Sequence, residues 1–257
     1  MSVAVIIPWG RPDGPDGAFR AAVWKRLRAE WAEYGSGRPD VLVAEAPDPL
    51  FGKIAPPAYI DGYTAHRGPS IRPFAVARAI NNAVVTAAQR GADRFVCFGA
   101  DMAPDLAVVY WAAAELESRP WTLLFDRGTS MSEEDTMRWL RKTDLPSDWW
   151  PAVERFQTPC VGPIAFTREA FEFVGGFDAR YEGWAFEDVD FWHRLCRDLG
   201  PQTRCSDRPL RQYWHPLGHH DLSFANPNVR LYHDTWVAPR PRSSPRIYFM
   251  RDDRITN

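Results

Sequence analysis

The sequence of 257 residues has no run approaching the ~20 apolar residues that a membrane-spanning helix needs. An apolar run near the N-terminus extends from Val3 to Ile7, but it stops at Pro8 and is too short for the core of a signal peptide. These two absences predict a soluble, cytoplasmic protein without a membrane span.

The chain also contains few cysteines and lysines, and its net charge is small. The four cysteines lack the spacing of a metal site and do not require an oxidising compartment: Cys97, Cys160, Cys196 and Cys205. A formal net charge of −2 gives no global attraction to nucleic acid. An arginine-rich segment at 240–257 leaves a phosphate-bearing partner open, so nucleic acid stays a partner that is not favoured. Three lysines in an Arg-, Ala-, Pro- and Trp-rich chain are typical of a bacterial or phage source.

Two kinds of segment alternate along the first half of the chain. Short apolar runs typical of buried strands occupy residues 3–8, 40–47, 93–101 and 121–125. Segments with apolar residues at helical spacing occupy 18–35, 73–91 and 105–118. This order predicts an α/β domain with a mixed, largely parallel sheet flanked by helices.

Ligands of such sheets bind beyond the C-terminal ends of the strands. This rule places Pro8–Arg11, Glu45–Asp48 and Gly99–Asp101 along one rim of the sheet. Neither a Walker-type P-loop nor a G-x-G-x-x-G motif follows the first strand. A glycine-rich phosphate loop is therefore unsupported, and a metal ion has to be considered in its place.

The pattern changes after residue 126. Residues 127–157 are polar and rich in tryptophan, and they predict loops or short helices. From Cys160 onwards the sequence predicts a short strand, a helix, a Gly175-Gly176 turn, a loop and a second helix. That second helix begins at three carboxylates in four residues, Glu187, Asp188 and Asp190. The helix dipole alone would explain one or two of these acids.

Five stretches, in this order along the chain, resemble glycosyltransferases of the GT-A (Rossmann-like) fold. The resemblance is to β-1,4-galactosyltransferases, chondroitin-polymerase-type enzymes and polypeptide N-acetylgalactosaminyltransferases. The stretches are VIIPW (5–9), PFAVARAINNAV (73–84), FGADMAPD (98–105), GGFDARYEGWAFEDVDFWHRL (175–195), and YWHP (213–216) with NPNVRLY (226–232). The resemblance implies a single domain with a nucleotide-sugar-binding half at 1–105, an acceptor-binding and catalytic half at 106–239, and the arginine-rich tail at 240–257.

The resemblance also implies a divalent metal, Mn²⁺ or else Mg²⁺. Asp101 matches the metal-binding carboxylate of the family's Asp-x-Asp motif, and His215 matches a histidine on a late strand. His219 and His220 stay open as alternatives to His215, and a zinc-binding tract formed by these histidines lacks a partner with the right spacing. The implied donor contacts are Pro8, Trp9, Arg11, Asp48, Arg78, Asn81, Ala100 and Asp101.

The implied activity is that of a hexosyltransferase, which moves a sugar from a nucleotide sugar, with UDP favoured, to an acceptor hydroxyl and inverts its configuration. Asp188 is the implied general base with Glu187 beside it, and Trp184, Gly183 and Asp190 are the implied acceptor or sugar contacts. For Trp184, packing in the core is the alternative role. A glycan, a protein, a small molecule or a modified nucleobase all stay open as acceptors, selected by the irregular segments 46–72 and 127–157.

Two positions depart from the family pattern. Gly99 replaces the first Asp of Asp-x-Asp, and Val76 replaces an arginine that contacts the nucleotide, for which Arg72 or Arg78 would have to substitute. Both departures leave open a catalytically degenerate module that binds nucleotide sugars or glycans. A nucleotidyltransferase is disfavoured because the loop after the first strand has no lysine.

Overall fold

The computed structural model describes residues 2–9, 19, 22–23, 25–27, 29, 41–47, 64–65, 76–102, 106–125, 127–141, 154–157, 163–183, 185–201, 210–214 and 222–238. The strands are β1 (Ser2–Trp9), β2 (Val41–Pro47), β3 (Thr64–Ala65), β4 (Ala92–Cys97), β5 (Trp121–Leu123), β6 (Arg127–Ser130), β7 (Glu154–Gln157), β8 (Ile164–Thr167) and β9 (Leu210–Gln212). The helices are α1 (Val76–Gln89), α2 (Leu106–Glu115), α3 (Glu133–Arg141), α4 (Arg168–Val174), α5 (Glu187–Leu199) and α6 (Pro227–Tyr232), which continues as a π-helix (His233–Val237).

A six-stranded sheet has the order β3-β2-β1-β4-β8-β5. The pairs β1–β2, β1–β4 and β2–β3 are parallel, and β8 lies antiparallel between β4 and β5. This confirms the predicted mixed, largely parallel sheet. The described positions of the predicted helix at 18–35 are also helical.

Strand β1 explains why the sheet has helices on both faces. Its apolar run is buried without interruption from Val3 to Ile7, and alternate side chains enter different clusters. Val3, Val5 and Ile7 pack in the cluster that contains Val108, Val109 and Ala112 of α2. Ala4 and Ile6 pack in the cluster that contains residues of α1 and α5, including Ile80, Val84, Phe191 and Leu195. A strand that is apolar on both sides needs this double cover.

The parallel strands end at one edge of the sheet. Trp9 of β1 pairs with Pro47 of β2, and Ile6 pairs with Cys97, where β4 ends. The chain then continues into a turn at Phe98–Met102, whose first N–H donates to the carbonyl of Ile6 at 3.0 Å. The described part of the predicted rim, at 8–9, 45–47 and 99–101, therefore lies at one edge of the sheet.

A small second sheet has the order β7-β6-β9, with β6–β7 antiparallel and β6–β9 parallel. The prediction of loops or short helices for 127–157 is wrong for its two strands, RGTS and ERFQ, and right for helix α3. The strands are short and mostly polar, so they lack the apolar alternation that identifies a strand. Helix α3 is capped by Ser132, whose hydroxyl accepts from the Asp135 N–H and donates to the Asp135 carboxylate.

None of the helices in the described part of the chain combines the length and the apolar character that crossing a bilayer requires.

Candidate active site

The loop that leads into α5 has a strained backbone. Gly183, Ala185 and Phe186 all have positive φ, at 84°, 98° and 70°. Such angles are uncommon outside glycine, and they persist only where the surroundings hold them. Ala185 is buried, and the Phe186 ring stacks on Tyr232 with ring centroids 4.4 Å apart. Packing therefore fixes the direction in which this loop delivers the first residues of α5.

Those first residues are the carboxylates Glu187 and Asp188. The Val189 N–H donates to Asp188 Oδ1 at 2.8 Å, whereas Glu187 Oε2 is buried without a hydrogen-bond partner. Burial raises the pKa of Asp188, against the opposing effect of the Val189 N–H. Burial, followed by the negative charge of Asp188, raises the pKa of Glu187 to about 8. The charge on Asp188 contributes to that rise, so Glu187 holds its proton to a higher pH than an ordinary glutamic acid does.

Asp190, the third carboxylate, is buried and hydrogen-bonded to other side chains of the protein. Its Oδ1 accepts from the Trp236 indole at 2.7 Å, and its Oδ2 accepts from Arg194 Nε at 2.9 Å. Arg194 also donates from Nη1 to the carbonyls of Val174 at 2.7 Å and Gly176 at 2.5 Å. Asp190 thus connects α5 to the π-helix and, through Arg194, to the Gly-Gly turn. Its predicted contact with a sugar stays a prediction.

Two asparagines clamp the loop at residues 177–182, one at each end. The Asn81 side chain exchanges two hydrogen bonds with the backbone of Phe177, both 2.8 Å long. Asn228, which is buried, does the same with the backbone of Glu182, at 3.0 and 3.2 Å. Both amides therefore hold the segment that precedes the strained loop. Asn81 was predicted as a donor contact, which stays a prediction, and Asn228 was not singled out.

A cluster of aromatic rings around the buried His193 connects α5 to the end of the described chain. His193 lies between Tyr232, whose hydroxyl is 3.0 Å from its Nε2, and Trp236, whose ring stacks on it at 4.9 Å. Burial lowers the pKa of His193, and Asp190 opposes that effect. The π-helix His233–Val237 presents Trp236 to this cluster, and such helices are frequent at functional sites. Sequence reasoning did not identify His193, since a lone histidine in a helix is most often structural.

Asp101 lies at the end of the turn that follows β4. Its carbonyl accepts from the Tyr213 N–H at 2.8 Å, and Met102 forms an isolated bridge with Gln212. Gln212 Nε2 also donates to Asp101 Oδ2. The half-buried carboxylate is therefore held against β9, the strand that leads towards the predicted metal-binding histidine.

Several predicted residues lie outside the described residues: Arg11, Asp48, Arg72, Trp184, His215, His219 and His220. In the sequence, His215 follows the described Tyr213 by two residues. Within the described part of the chain, no group of three His, Cys, Asp or Glu side chains could hold a metal.

The other predicted donor residues are divided between two places. Pro8 and Trp9 end β1, and half-buried Ala100 lies in the turn before Asp101. Arg78 instead reaches the clamped loop, where its Nη2 pairs with Glu182 Oε1 at 2.9 Å. Their contacts with a donor stay predictions.

Comparison with known proteins supports the resemblance at two levels. A family model described as the N-terminal domain of galactosyltransferase matches residues 151–215, which include the clamped loop and the carboxylates of α5. Among curated protein sequences, none matches the chain.

Among solved structures, TarS from S. aureus is similar with a TM-score of 0.56 at 10% identity, over 83% of this chain and 37% of that one. TarS 1–349 in complex with UDP-GlcNAc has a TM-score of 0.56 at 11% identity, over 87% of this chain and 62% of the TarS chain. Drosophila β1,4-galactosyltransferase 7 in complex with xylobiose reaches only 0.45 at 16% identity, over 80% and 65%, which is too low to carry an argument.

The chain thus spans less than two thirds of the length of the TarS chains that it matches. At these identities the likeness shows the fold. The predicted GT-A fold and the predicted resemblance to galactosyltransferases are both confirmed.

Proposed function

We propose that this GT-A-fold chain is a glycosyltransferase that moves a hexose from a nucleotide sugar to an acceptor hydroxyl with inversion of configuration. The observation that carries the proposal is the Glu187–Asp188 pair at the start of α5. It follows a strained loop, and it lies inside the segment that matches the galactosyltransferase model. A UDP-sugar is the favoured donor, and TarS structures in complex with UDP-GlcNAc and with UDP support this choice.

Asp188 is the general base of the proposed reaction. The acceptor oxygen forms a bond to the anomeric carbon while its proton moves to the ionised Asp188 carboxylate. The bond from that carbon to the diphosphate breaks, and its electron pair leaves with the nucleoside diphosphate. The raised pKa of Asp188 increases its affinity for the proton, which suits a base that works near neutral pH. The Val189 N–H on Oδ1 helps to orient the carboxylate.

Glu187 has a different role because it retains its proton. With a pKa of about 8 it is neutral at pH 7, so the pair carries a single negative charge. A protonated Glu187 donates a hydrogen bond that an acceptor or sugar oxygen accepts. One carboxyl group thus acts as the base and its neighbour as a donor.

The proposed metal ligands are Asp101 and His215, with Mn²⁺ preferred over Mg²⁺. A carboxylate held at the rim of the sheet and an imidazole two residues beyond Tyr213 form a donor set that fits Mn²⁺. When bound, the ion stabilises negative charge on the departing diphosphate. The Tyr213 N–H, which directly follows β9, donates to the Asp101 carbonyl, and His215 is two residues further along the sequence; this supports the choice of His215 over His219 and His220.

The remaining roles follow from position. Donor contacts are proposed for Pro8, Trp9 and Ala100 at the rim, and for Arg11 and Asp48, which follow β1 and β2 in the sequence. Acceptor contacts are proposed for Gly183 and Trp184, which directly precede the strained residues. The side chains of Arg78, Asn81 and Asp190 already bind within the protein, and contacts with the donor for the first two and with the sugar for the third are proposed in addition.

The test is substitution of the base. Asp188→Asn keeps the size of the side chain and removes its basicity, so donor turnover should fall by about 10²- to 10⁴-fold while donor binding is retained. Hydrolysis of UDP-sugars with water as acceptor is the assay, with binding and thermal unfolding measured in parallel. The matched control is Asp198→Asn, an exposed carboxylate on the same helix paired with Arg197. Full turnover by a folded Asp188→Asn variant would contradict the proposal.

A further inference from the structure

The carboxylate of Asp101 fills the space that a side chain at position 99 would need. A Cβ built on Gly99 would lie 2.6 Å from Asp101 Oδ1 and 3.0 Å from the Met102 methyl carbon. The turn is also closed by its own backbone: the Met102 N–H donates to the Gly99 carbonyl at 3.1 Å, and the Gly99 N–H donates to Met102 Sδ at 3.1 Å. Any residue larger than glycine would displace the Asp101 carboxylate or open the turn.

Gln212 holds the same carboxylate through its other oxygen. Its Nε2 donates to Asp101 Oδ2. The backbone of Gln212 is fixed in turn, because it pairs with Met102 and its carbonyl accepts from the Met131 N–H at 3.0 Å. The Asp101 side chain thus meets a steric limit at Oδ1 and a hydrogen-bond donor at Oδ2.

We infer that Gly99 and Gln212 are positioning residues that orient the Asp101 carboxylate towards the divalent cation and its bound diphosphate. The glycine is then required by this turn and is not the remnant of a lost aspartate. The inference rests on the proposed metal role of Asp101. It makes an unusual prediction: restoring the family's aspartate, by Gly99→Asp, weakens metal binding.

The reason is local geometry and charge. An Asp side chain at 99 begins with the same Cβ that already contacts Asp101 Oδ1. The steric contact would therefore displace the Asp101 carboxylate, and this displacement opposes the attraction that a second carboxylate has for the cation. Loss of a partner that orients a metal ligand typically lowers metal affinity by about 10- to 100-fold. Gly99→Ala, Gly99→Asp and Gln212→Leu should each weaken Mn²⁺ binding by about that factor.

The experiment measures Mn²⁺ binding directly, from the electron paramagnetic resonance signal of free Mn²⁺. UDP binding by calorimetry, with Mn²⁺ and with chelator, is the second measurement, and neither depends on turnover. Gly91→Ala is the matched control. Gly91 lies before β4, at the end of the strand away from the turn, and has a φ of 92° with no atom near its missing Cβ. That variant should lower the melting temperature and leave Mn²⁺ affinity unchanged.

The outcomes separate this inference from the proposed function. Wild-type protein that binds no Mn²⁺ contradicts the proposed metal site and the inference with it. Wild-type protein that binds Mn²⁺, together with a Gly99→Asp variant that binds it equally or more tightly, overturns only the inference. In a double-mutant cycle, Gly99→Ala and Gln212→Leu should be less than additive because both act through one carboxylate. Full additivity would show that they do not.

Discussion

Glu187→Gln should remove a pH dependence of stability that the wild-type protein carries. The side chain is neutral in the folded protein until its pKa of about 8, whereas in the unfolded chain it ionises at its ordinary value of 4.5. Between these values the folded state binds the extra proton. The free energy of unfolding therefore falls as pH rises through this window. Glutamine copies the shape of the protonated acid and does not ionise.

The magnitude follows from the width of the window. Each pH unit between 4.5 and about 8 costs about 1.4 kcal/mol of stability, so the stretch from pH 5 to pH 8 amounts to about 4 kcal/mol. Burial also raises the pKa of Asp188, which adds a loss of the same sign. That contribution is common to both proteins, and it cancels in the difference between variant and wild type. The variant should therefore gain about 4 kcal/mol relative to wild type between these two pH values.

The assay is urea unfolding at pH 5, 6, 7 and 8, with the free energy of unfolding obtained by linear extrapolation. Glu169→Gln is the control, because that carboxylate is exposed on α4 and lies outside the site. Its difference from wild type should not change with pH. If the free energies of unfolding of wild type and Glu187→Gln change in parallel from pH 5 to pH 8, Glu187 is not held in its protonated form. Its proposed role as a hydrogen-bond donor is then wrong.

Two further substitutions test how the loop before α5 is held. Gly176→Ala should destabilise the protein by about 1–3 kcal/mol more than Gly175→Ala, because both have positive φ but only a Cβ at 176 would contact Phe171, at 2.8 Å, and Asn81, at 2.9 Å. Equal melting temperatures for the two variants would refute that contact. Asn228→Ala should cost about 1–3 kcal/mol in urea unfolding and lower donor turnover, since the Glu182 backbone loses both partners on that side chain. Unchanged stability and turnover would show that the clamp is dispensable.

Much of the fold was predictable from local pattern. The uninterrupted apolar run in β1 required cover on both faces, and the helical spacing in α1 marked the face that packs on the sheet. Strands β6 and β7 were not predictable, because RGTS and ERFQ are short and mostly polar and lack an alternating apolar pattern. The predicted strand at 93–101 and the predicted helix at 105–118 extend past the observed ends of β4 and α2, whereas β1 is longer than the predicted strand at 3–8.

The carboxylates of the site were predictable from the sequence, but the residues that hold them in place were not. Glu187 and Asp188 stood out because acids crowd a helix start beside aromatic residues. The sequence does not indicate the positive φ of Ala185 and Phe186, since neither residue type favours that conformation. Likewise Asn228 reaches Glu182 across 46 positions and Arg194 reaches Gly176 across 18. Contacts at such separations depend on the tertiary arrangement and have no local signature.

The central claim, that the chain uses a metal-bound nucleotide sugar as its donor, is tested most directly by donor binding. Calorimetric titration with a panel of UDP-, GDP-, dTDP- and CMP-sugars would be done with Mn²⁺ and with chelator, on wild type and on Asp101→Ala. The account predicts that a UDP-sugar binds in the presence of Mn²⁺, and that the binding is lost with chelator and in the variant. Absence of binding to every donor under both conditions would contradict the account.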